Sequence, residues 1–125
     1  MSDYRTPTAK VRGLGASGHG AGHWIAHRVS AIAMFLLAPV FVWMLATSGA
    51  PDADAMRAFL ASPAGSIVTL LTLTAAFYHM RMGMQVIIED YIHKPGTKVL
   101  LLVGNTLLTM GLWLVTAFFL VKFAL

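Results

Sequence analysis

The chain has 125 residues, of which 58% are apolar and only 11% charged, and its mean hydropathy is +0.73. These values exclude a soluble domain of this size and indicate a chain that folds within a membrane. The absence of cysteine excludes disulfides, thiolate metal sites and iron–sulfur ligation by this chain, so any metal centre must use histidine. The nine Lys and Arg residues are spread along the chain, which argues against nucleic acid as a partner.

We expect residues 1–27 to form a polar, glycine-rich and mildly basic arm. The arm lacks the apolar core and small-residue cleavage site of a signal peptide, so we expect it to be retained. His19, His23 and His27 recur every four residues at its end, a spacing that permits zinc binding on a helix. The flanking glycines argue against a rigid helix, and no carboxylate or cysteine completes the set. A solvated surface for a soluble partner, with Trp24 at headgroup level, is the favoured interpretation.

We expect residues 28–125 to form an all-α transmembrane domain of an integral membrane protein. The first of its hydrophobic spans contains Pro39, which predicts a kink. The second has Arg81 as its one formally charged side chain. The first span is just long enough to cross a membrane as a helix, and the length of the second suits a hydrocarbon core of roughly 30 Å with some tilt. The predicted spans are residues 29–46, 66–88 and 99–121.

Positive charges orient the three spans. Arginine and lysine are concentrated before the first span and again between the second and third, where Lys94 and Lys98 lie. The connection between the first and second spans has only Arg57, beside two aspartates. The positive-inside rule therefore places the N-terminus in the cytoplasm and the C-terminus on the opposite side of the membrane. We expect that side to be the periplasm, and the membrane to be a bacterial inner membrane. The aspartates at 52–54 also predict a short surface helix in that first connection.

His79 lies deep in the second span, and Asp90 and Tyr91 follow at its cytoplasmic end. In an α-helix the eleven positions from His79 to Asp90 make almost three turns, which places both side chains on one face about 16 Å apart. An ionisable side chain at this depth is costly and so indicates function. His79 is therefore a hydrogen-bonded packing residue, a member of a proton relay or an axial ligand of haem iron. A second imidazole ligand would have to come from a partner chain, because no other histidine lies inside a span.

Arg81 points about 200° around the helix from His79 and begins a second polar stripe with Gln85 and Glu89. The four-residue spacing predicts that Arg81 contacts Gln85 or Glu89 while facing protein rather than lipid.

A small transporter or proton channel would use His79, Arg81 and Glu89 as a relay. Glu89 lies at the boundary, however, whereas coupling sites usually lie at the midplane. A purely structural anchor without a cofactor is a further alternative.

Two motifs and one spacing carry a resemblance to a known family. GHWIAHRVSAI precedes the first span, and GMQVIIEDYIH ends the second, with Asp-Tyr eleven and twelve positions after the deep histidine. From about residue 18 to its end the chain resembles the hydrophobic membrane-anchor subunit of succinate dehydrogenase. The resemblance implies half of a heterodimeric anchor bundle, completed by a cytochrome b subunit and joined by an iron–sulfur subunit and a flavoprotein. An anchor of a fumarate reductase, with reversed electron flow, is the nearest alternative.

The resemblance also implies roles for individual residues. His79 matches the axial ligand of a b-type haem shared with the cytochrome b subunit, and Arg28 matches a basic residue near the haem propionates. Tyr91 matches a tyrosine that donates a hydrogen bond to a carbonyl oxygen of ubiquinone, and Asp90 matches its acidic neighbour. His27, where the family more often has glutamine, receives no role. The implied function is to anchor a respiratory enzyme and help form its ubiquinone-reduction site, with no complete activity in this chain alone.

Overall fold

The computed structural model describes residues 4–12 and 20–124. Within those ranges the chain is helical and contains no β-strand, which confirms the all-α fold class. The helices α2 and α5 are each long and apolar enough to cross a membrane, and α3 with α4 forms one further, sharply bent candidate span. The chain is therefore a multi-pass membrane protein. The helices are α1 (Pro7–Arg12), α2 (Gly20–Thr47), α3 (Ala53–Ala61), α4 (Pro63–Tyr91) and α5 (Pro95–Ala124).

The helix α4 is the central element of the bundle. It packs against α2 on one side and against α5 on the other, while α3 contacts both α4 and α5. The side chains buried at these contacts include small polar ones, which let helix backbones approach closely within a membrane. Much of the remaining apolar surface is exposed, as expected for helices that face lipid or other membrane chains. The buried polar residues are Ser30, Thr69, Thr72 and Thr109.

The helix α2 extends well beyond the predicted first span. It begins at Gly20, so the predicted boundary between residues 27 and 28 falls inside a continuous helix. The expectation that glycines prevent a rigid helix here is wrong, because His23 and His27 lie on regular turns of α2. Hydropathy detects only the apolar part of a helix, whereas its backbone hydrogen bonds continue into the polar region. The helix also continues without interruption through Pro39.

The short helix predicted in the first connection is present as α3. Asp52 caps its N-terminus, and its carboxylate accepts hydrogen bonds from the backbone N–H of Asp54 at 3.2 Å and of Ala55 at 3.0 Å. These bonds satisfy N–H groups that have no partner within the helix. The local sequence alone therefore accounts for the start of α3.

A corner of 88° separates α3 from α4. Ser62 ends α3 and caps α4: its hydroxyl donates to the Phe59 carbonyl at 2.7 Å and accepts from the Gly65 N–H at 3.0 Å. Pro63 occupies the first turn of α4, where its missing N–H is not needed. Gly65 is buried in the corner, and a Cβ there would collide with the carbonyl oxygen of Phe59. The tight turn thus depends on a residue without a side chain.

Candidate functional site

The deep histidine lies at the interface between α4 and α2. Its Nδ1 atom is 3.0 Å from the hydroxyl oxygen of Ser30 on α2. The Ser30 hydroxyl also contacts the backbone carbonyl of His27, at 2.8 Å. The rings of His27 and His79 are stacked, with centroids 4.7 Å apart and planes inclined by 6°. His79 is half-buried and contacts two residues of α2. We call His79, Ser30 and His27 the deep cluster.

The second ring nitrogen of His79 is the atom that the deep cluster leaves unpaired. Within residues 4–12 and 20–124, Nε2 makes no hydrogen bond. An imidazole whose Nδ1 is engaged and whose Nε2 is unpaired is a common arrangement for a metal-ligating histidine. A single imidazole of this kind fits one ligand position of haem iron.

Sequence reasoning did not connect His27 or Ser30 with His79. The sequence did contain a signal for the pair: His27 and Ser30 are three positions apart, and residues with this spacing on a helix share a face. The predicted first span began at residue 29, which separated His27 from Ser30 and concealed this shared face. The pairing of both residues with His79, 49 or more positions later, was also not predictable from local spacing.

Arg28 lies beside the deep cluster in sequence but on another face of α2. It is exposed, and its guanidinium carbon lies 5.2 Å from the centroid of the Trp24 ring. Such a cation–π contact on an exposed surface contributes about 0.5–1 kcal/mol. Arg28 has no carboxylate partner in the part of the chain that the structure describes. Its charge is therefore free to pair with an anionic group.

Asp90 and Tyr91 are the last two residues of α4, the helix that also contains His79. Both side chains are exposed, Tyr91 by 75%, and neither makes a hydrogen bond within the described ranges. The helix ends here because Ile92 adopts an extended backbone, while its N–H still donates to the Ile88 carbonyl. Twelve residues of helix place Tyr91 about 18 Å from His79 along the axis. The structure therefore separates the predicted site residues into a deep cluster and a boundary pair.

Two hydrogen bonds hold the backbone beside the boundary pair. The Lys98 ammonium of α5 donates to the Glu89 carbonyl at 2.8 Å. The His93 ring lies with Nδ1 at 3.1 Å from the Tyr91 carbonyl, which can only accept. The turn between α4 and α5 is thereby tied to the backbone of the last residues of α4, Tyr91 among them.

The prediction for Arg81 is wrong in its partner. Arg81 makes no hydrogen bond or ion pair with Gln85 or Glu89: its Nε donates to the Thr106 hydroxyl at 3.3 Å. Gln85 instead donates to the Glu89 carboxylate at 2.8 Å. The side chain of Arg81 is half-buried and directed at α5, so the expectation that it faces protein is met. Gln85 and Glu89, four positions apart on α4, form a hydrogen bond with each other. The long Arg81 side chain instead reaches the Thr106 hydroxyl on α5.

Arg81 also borders two grooves on the outer surface of α4 and α5. One groove, of about 290 Å³, runs past Tyr78 to Trp113. The other, of about 330 Å³, runs past Gln85 to Leu102. Both grooves are open and mostly apolar, and neither includes His79 or Tyr91.

The three-histidine zinc site has no support in the described part of the chain. Among residues 4–12 and 20–124 no three His, Asp or Glu side chains are grouped to hold a metal ion. His23 and His27 are four positions apart on α2, and His19 lies outside the described residues.

Comparison with known proteins identifies the family. Residues 2–124 match the succinate dehydrogenase/fumarate reductase transmembrane subunit family. The chain belongs to this family. Its membership confirms the resemblance inferred from the two sequence motifs and agrees with an all-helical membrane bundle. The family description includes both enzymes, so it does not separate succinate oxidation from fumarate reduction.

Curated relatives in the family are similar over most of their length. The succinate dehydrogenase hydrophobic membrane anchor subunit of Rickettsia typhi is 28% identical over 120 residues, covering 94% of this chain and 96% of the relative. The subunit of that name from Paracoccus denitrificans is 30% identical over 95 residues, covering 76% and 73%. The succinate dehydrogenase membrane anchor subunit of Reclinomonas americana is 34% identical over 86 residues, covering 64% and 69%.

Proposed function

We propose that the chain is the membrane-anchor subunit of a succinate:ubiquinone oxidoreductase, complex II of a respiratory chain. The observation that carries the proposal is the imidazole of His79, held in the middle of α4 with Nε2 unpaired, in a chain of this family. The names of the relatives support succinate dehydrogenase as the enzyme. The chain supplies no complete activity alone, and its partners are a cytochrome b subunit, an iron–sulfur subunit and a flavoprotein.

A b-type haem is the cofactor that the deep cluster suits. His79 would supply one axial ligand through Nε2, and Arg28 would pair with the propionates. When bound, the haem stores one electron at a time. Ser30 and His27 hold the imidazole. Because the His27 ring is stacked on the His79 ring rather than facing its Nε2 atom, the cytochrome b subunit would supply the second histidine.

The boundary pair suits the reduction of ubiquinone. Electrons taken from succinate by the flavoprotein would pass through the iron–sulfur subunit to the quinone, where two electrons and two protons form the quinol. The exposed Tyr91 hydroxyl would donate a hydrogen bond to a quinone carbonyl oxygen, and this bond strengthens as negative charge grows there. The Asp90 carboxylate, also exposed, would supply protons from the aqueous side.

The charge distribution supports this placement in a bacterial inner membrane. Lys94 and Lys98 follow the boundary pair, so the positive-inside rule assigns Tyr91 to the cytoplasmic side, where soluble subunits would dock. The N-terminus then lies in the cytoplasm and the C-terminus in the periplasm. A proton channel is less well supported, because Arg81 bonds to Thr106 while Glu89 bonds to Gln85, which leaves no Arg81–Glu89 contact.

Co-purification tests the proposed function. The chain carries an affinity tag, and the complex is extracted in mild detergent from membranes that contain its natural partners. The proposal predicts three further subunits on the gel and succinate:ubiquinone reductase activity in the eluate. Recovery of the chain alone, or a complex without this activity, would contradict it.

A further inference from the structure

Ser30 is the residue that both histidines of the deep cluster share. It is 5% exposed, and its hydroxyl oxygen lies within hydrogen-bond distance of the His27 carbonyl and of His79 Nδ1. A serine hydroxyl has one proton and accepts through its lone pairs, whereas a carbonyl oxygen only accepts. Both contacts are hydrogen bonds only when the hydroxyl donates to the carbonyl and accepts from a protonated Nδ1. The opposite arrangement, with the hydroxyl donating to Nδ1, forfeits the bond to the carbonyl at a position where Ser30 is buried.

We propose that Ser30 is a positioning residue that holds His79 in the tautomer with its proton on Nδ1. In that tautomer the lone pair available to a metal is on Nε2. Because Nδ1 and Nε2 lie on different flanks of the imidazole, a ring whose Nδ1 faces Ser30 turns Nε2 away from Ser30. The inference rests on the proposed function, since it concerns the ligand that His79 offers to haem iron.

His27 completes the positioning by covering one face of the His79 ring. With the planes inclined by only 6°, rotation of the His79 ring out of its plane would drive it into His27. Ser30 therefore sets the tautomer and the direction of the ring within its plane, and His27 sets the plane. Ligands oriented by an outer partner of this kind bind metal more tightly, and removal of the partner lowers metal affinity by roughly 10- to 100-fold.

The test compares Ser30→Thr with Ser30→Val in the intact, affinity-purified complex. The two substitutions have nearly the same shape, and only threonine keeps the hydroxyl. Thr72→Val is the control, because Thr72 is also buried and its hydroxyl bonds only to the Val68 carbonyl of its own helix. The readouts are the rate of haem transfer to excess apomyoglobin and the midpoint potential of the haem.

We expect Ser30→Val to release haem roughly 10- to 100-fold faster than the wild-type complex. Its midpoint potential should be more positive, because an imidazole that loses the acceptor for its N–H becomes a weaker donor to iron. Ser30→Thr and Thr72→Val should match the wild type in both readouts. Equal behaviour of Ser30→Val and Ser30→Thr, or an equal shift in Thr72→Val, would overturn the role of Ser30 and leave the haem proposal intact.

The wild-type complex provides a measurement that needs no variant. Electron–nuclear double resonance in H₂O and D₂O should detect an exchangeable proton on the remote nitrogen of each axial imidazole. A ligand without that proton would overturn the proposed tautomer even if hydroxyl-free variants fail to assemble. A wild-type complex without haem would instead refute the haem assignment, and the role of Ser30 with it.

Discussion

Replacement of Gly65 by alanine should destabilise the corner between α3 and α4. A Cβ at this position would collide with the Phe59 carbonyl oxygen and lie 2.8 Å from the Ser62 hydroxyl oxygen. Overpacking of this kind typically costs about 1–3 kcal/mol. Displacing the Ser62 hydroxyl also removes the N-cap of α4, which contributes about 1 kcal/mol. We therefore expect a loss of about 2–4 kcal/mol in the free energy of unfolding.

Gly83→Ala is the matched control for this substitution. Gly83 lies in the same helix, and a Cβ there would meet nothing within 4 Å. Alanine has the higher helix propensity, so this change should be neutral or stabilise by up to about 1 kcal/mol. The assay heats the purified complex and follows its helical circular dichroism and the fraction that remains intact on size exclusion. Equal melting of the two variants would refute the steric account of the corner.

The other predictions concern the boundary pair, the α4–α5 contact and the cap of α3. Tyr91→Phe should lower succinate:ubiquinone reductase activity while sparing succinate oxidation with artificial acceptors. Tyr78→Phe, on the same helix, is the control and should leave both rates unchanged. Equal loss of both activities in Tyr91→Phe would count against a quinone contact. A double-mutant cycle of Arg81→Met and Thr106→Val, measured by thermal or detergent denaturation, should give a coupling energy of about 0.6 kcal/mol and no more than about 1.7 kcal/mol. A coupling energy of zero would mean that the hydrogen bond at 3.3 Å contributes nothing to stability. Asp52→Ala should cost about 1 kcal/mol through loss of the α3 cap, and an unchanged stability would show that the rest of the bundle, rather than the cap, holds α3.

The apolar spans and α3 were predictable because each depends on local sequence. Hydropathy detects the apolar parts of α2 and α5, and Asp52 marks the start of α3 by a hydrogen bond to residues two and three positions away. The polar extension of α2 to Gly20 was missed because hydropathy carries no information about a helix beyond the apolar region. The 88° corner was also missed, since it depends on Gly65 fitting against a carbonyl of the preceding helix.

The candidate site was predictable only in part. The depth of His79 and its separation from Tyr91 follow from the geometry of one helix. The partners of His79 do not, because Ser30 and His27 reach it through the packing of α2 on α4. Arg81 illustrates the same limit: an i,i+4 rule names Gln85 and Glu89, whereas the contact lies on α5, 25 positions away.

The most direct test of the account is a dithionite-reduced minus oxidised optical spectrum of the purified complex, recorded for the wild type, His79→Ala and His93→Ala. His93 is exposed and contacts only a backbone carbonyl, so its replacement is a control for loss of a histidine near the same helix. The account predicts a b-type haem signal in the wild type and in His93→Ala, altered or lost in His79→Ala. A complex without haem, or an unchanged spectrum in His79→Ala, would contradict the assignment of His79 as the haem ligand.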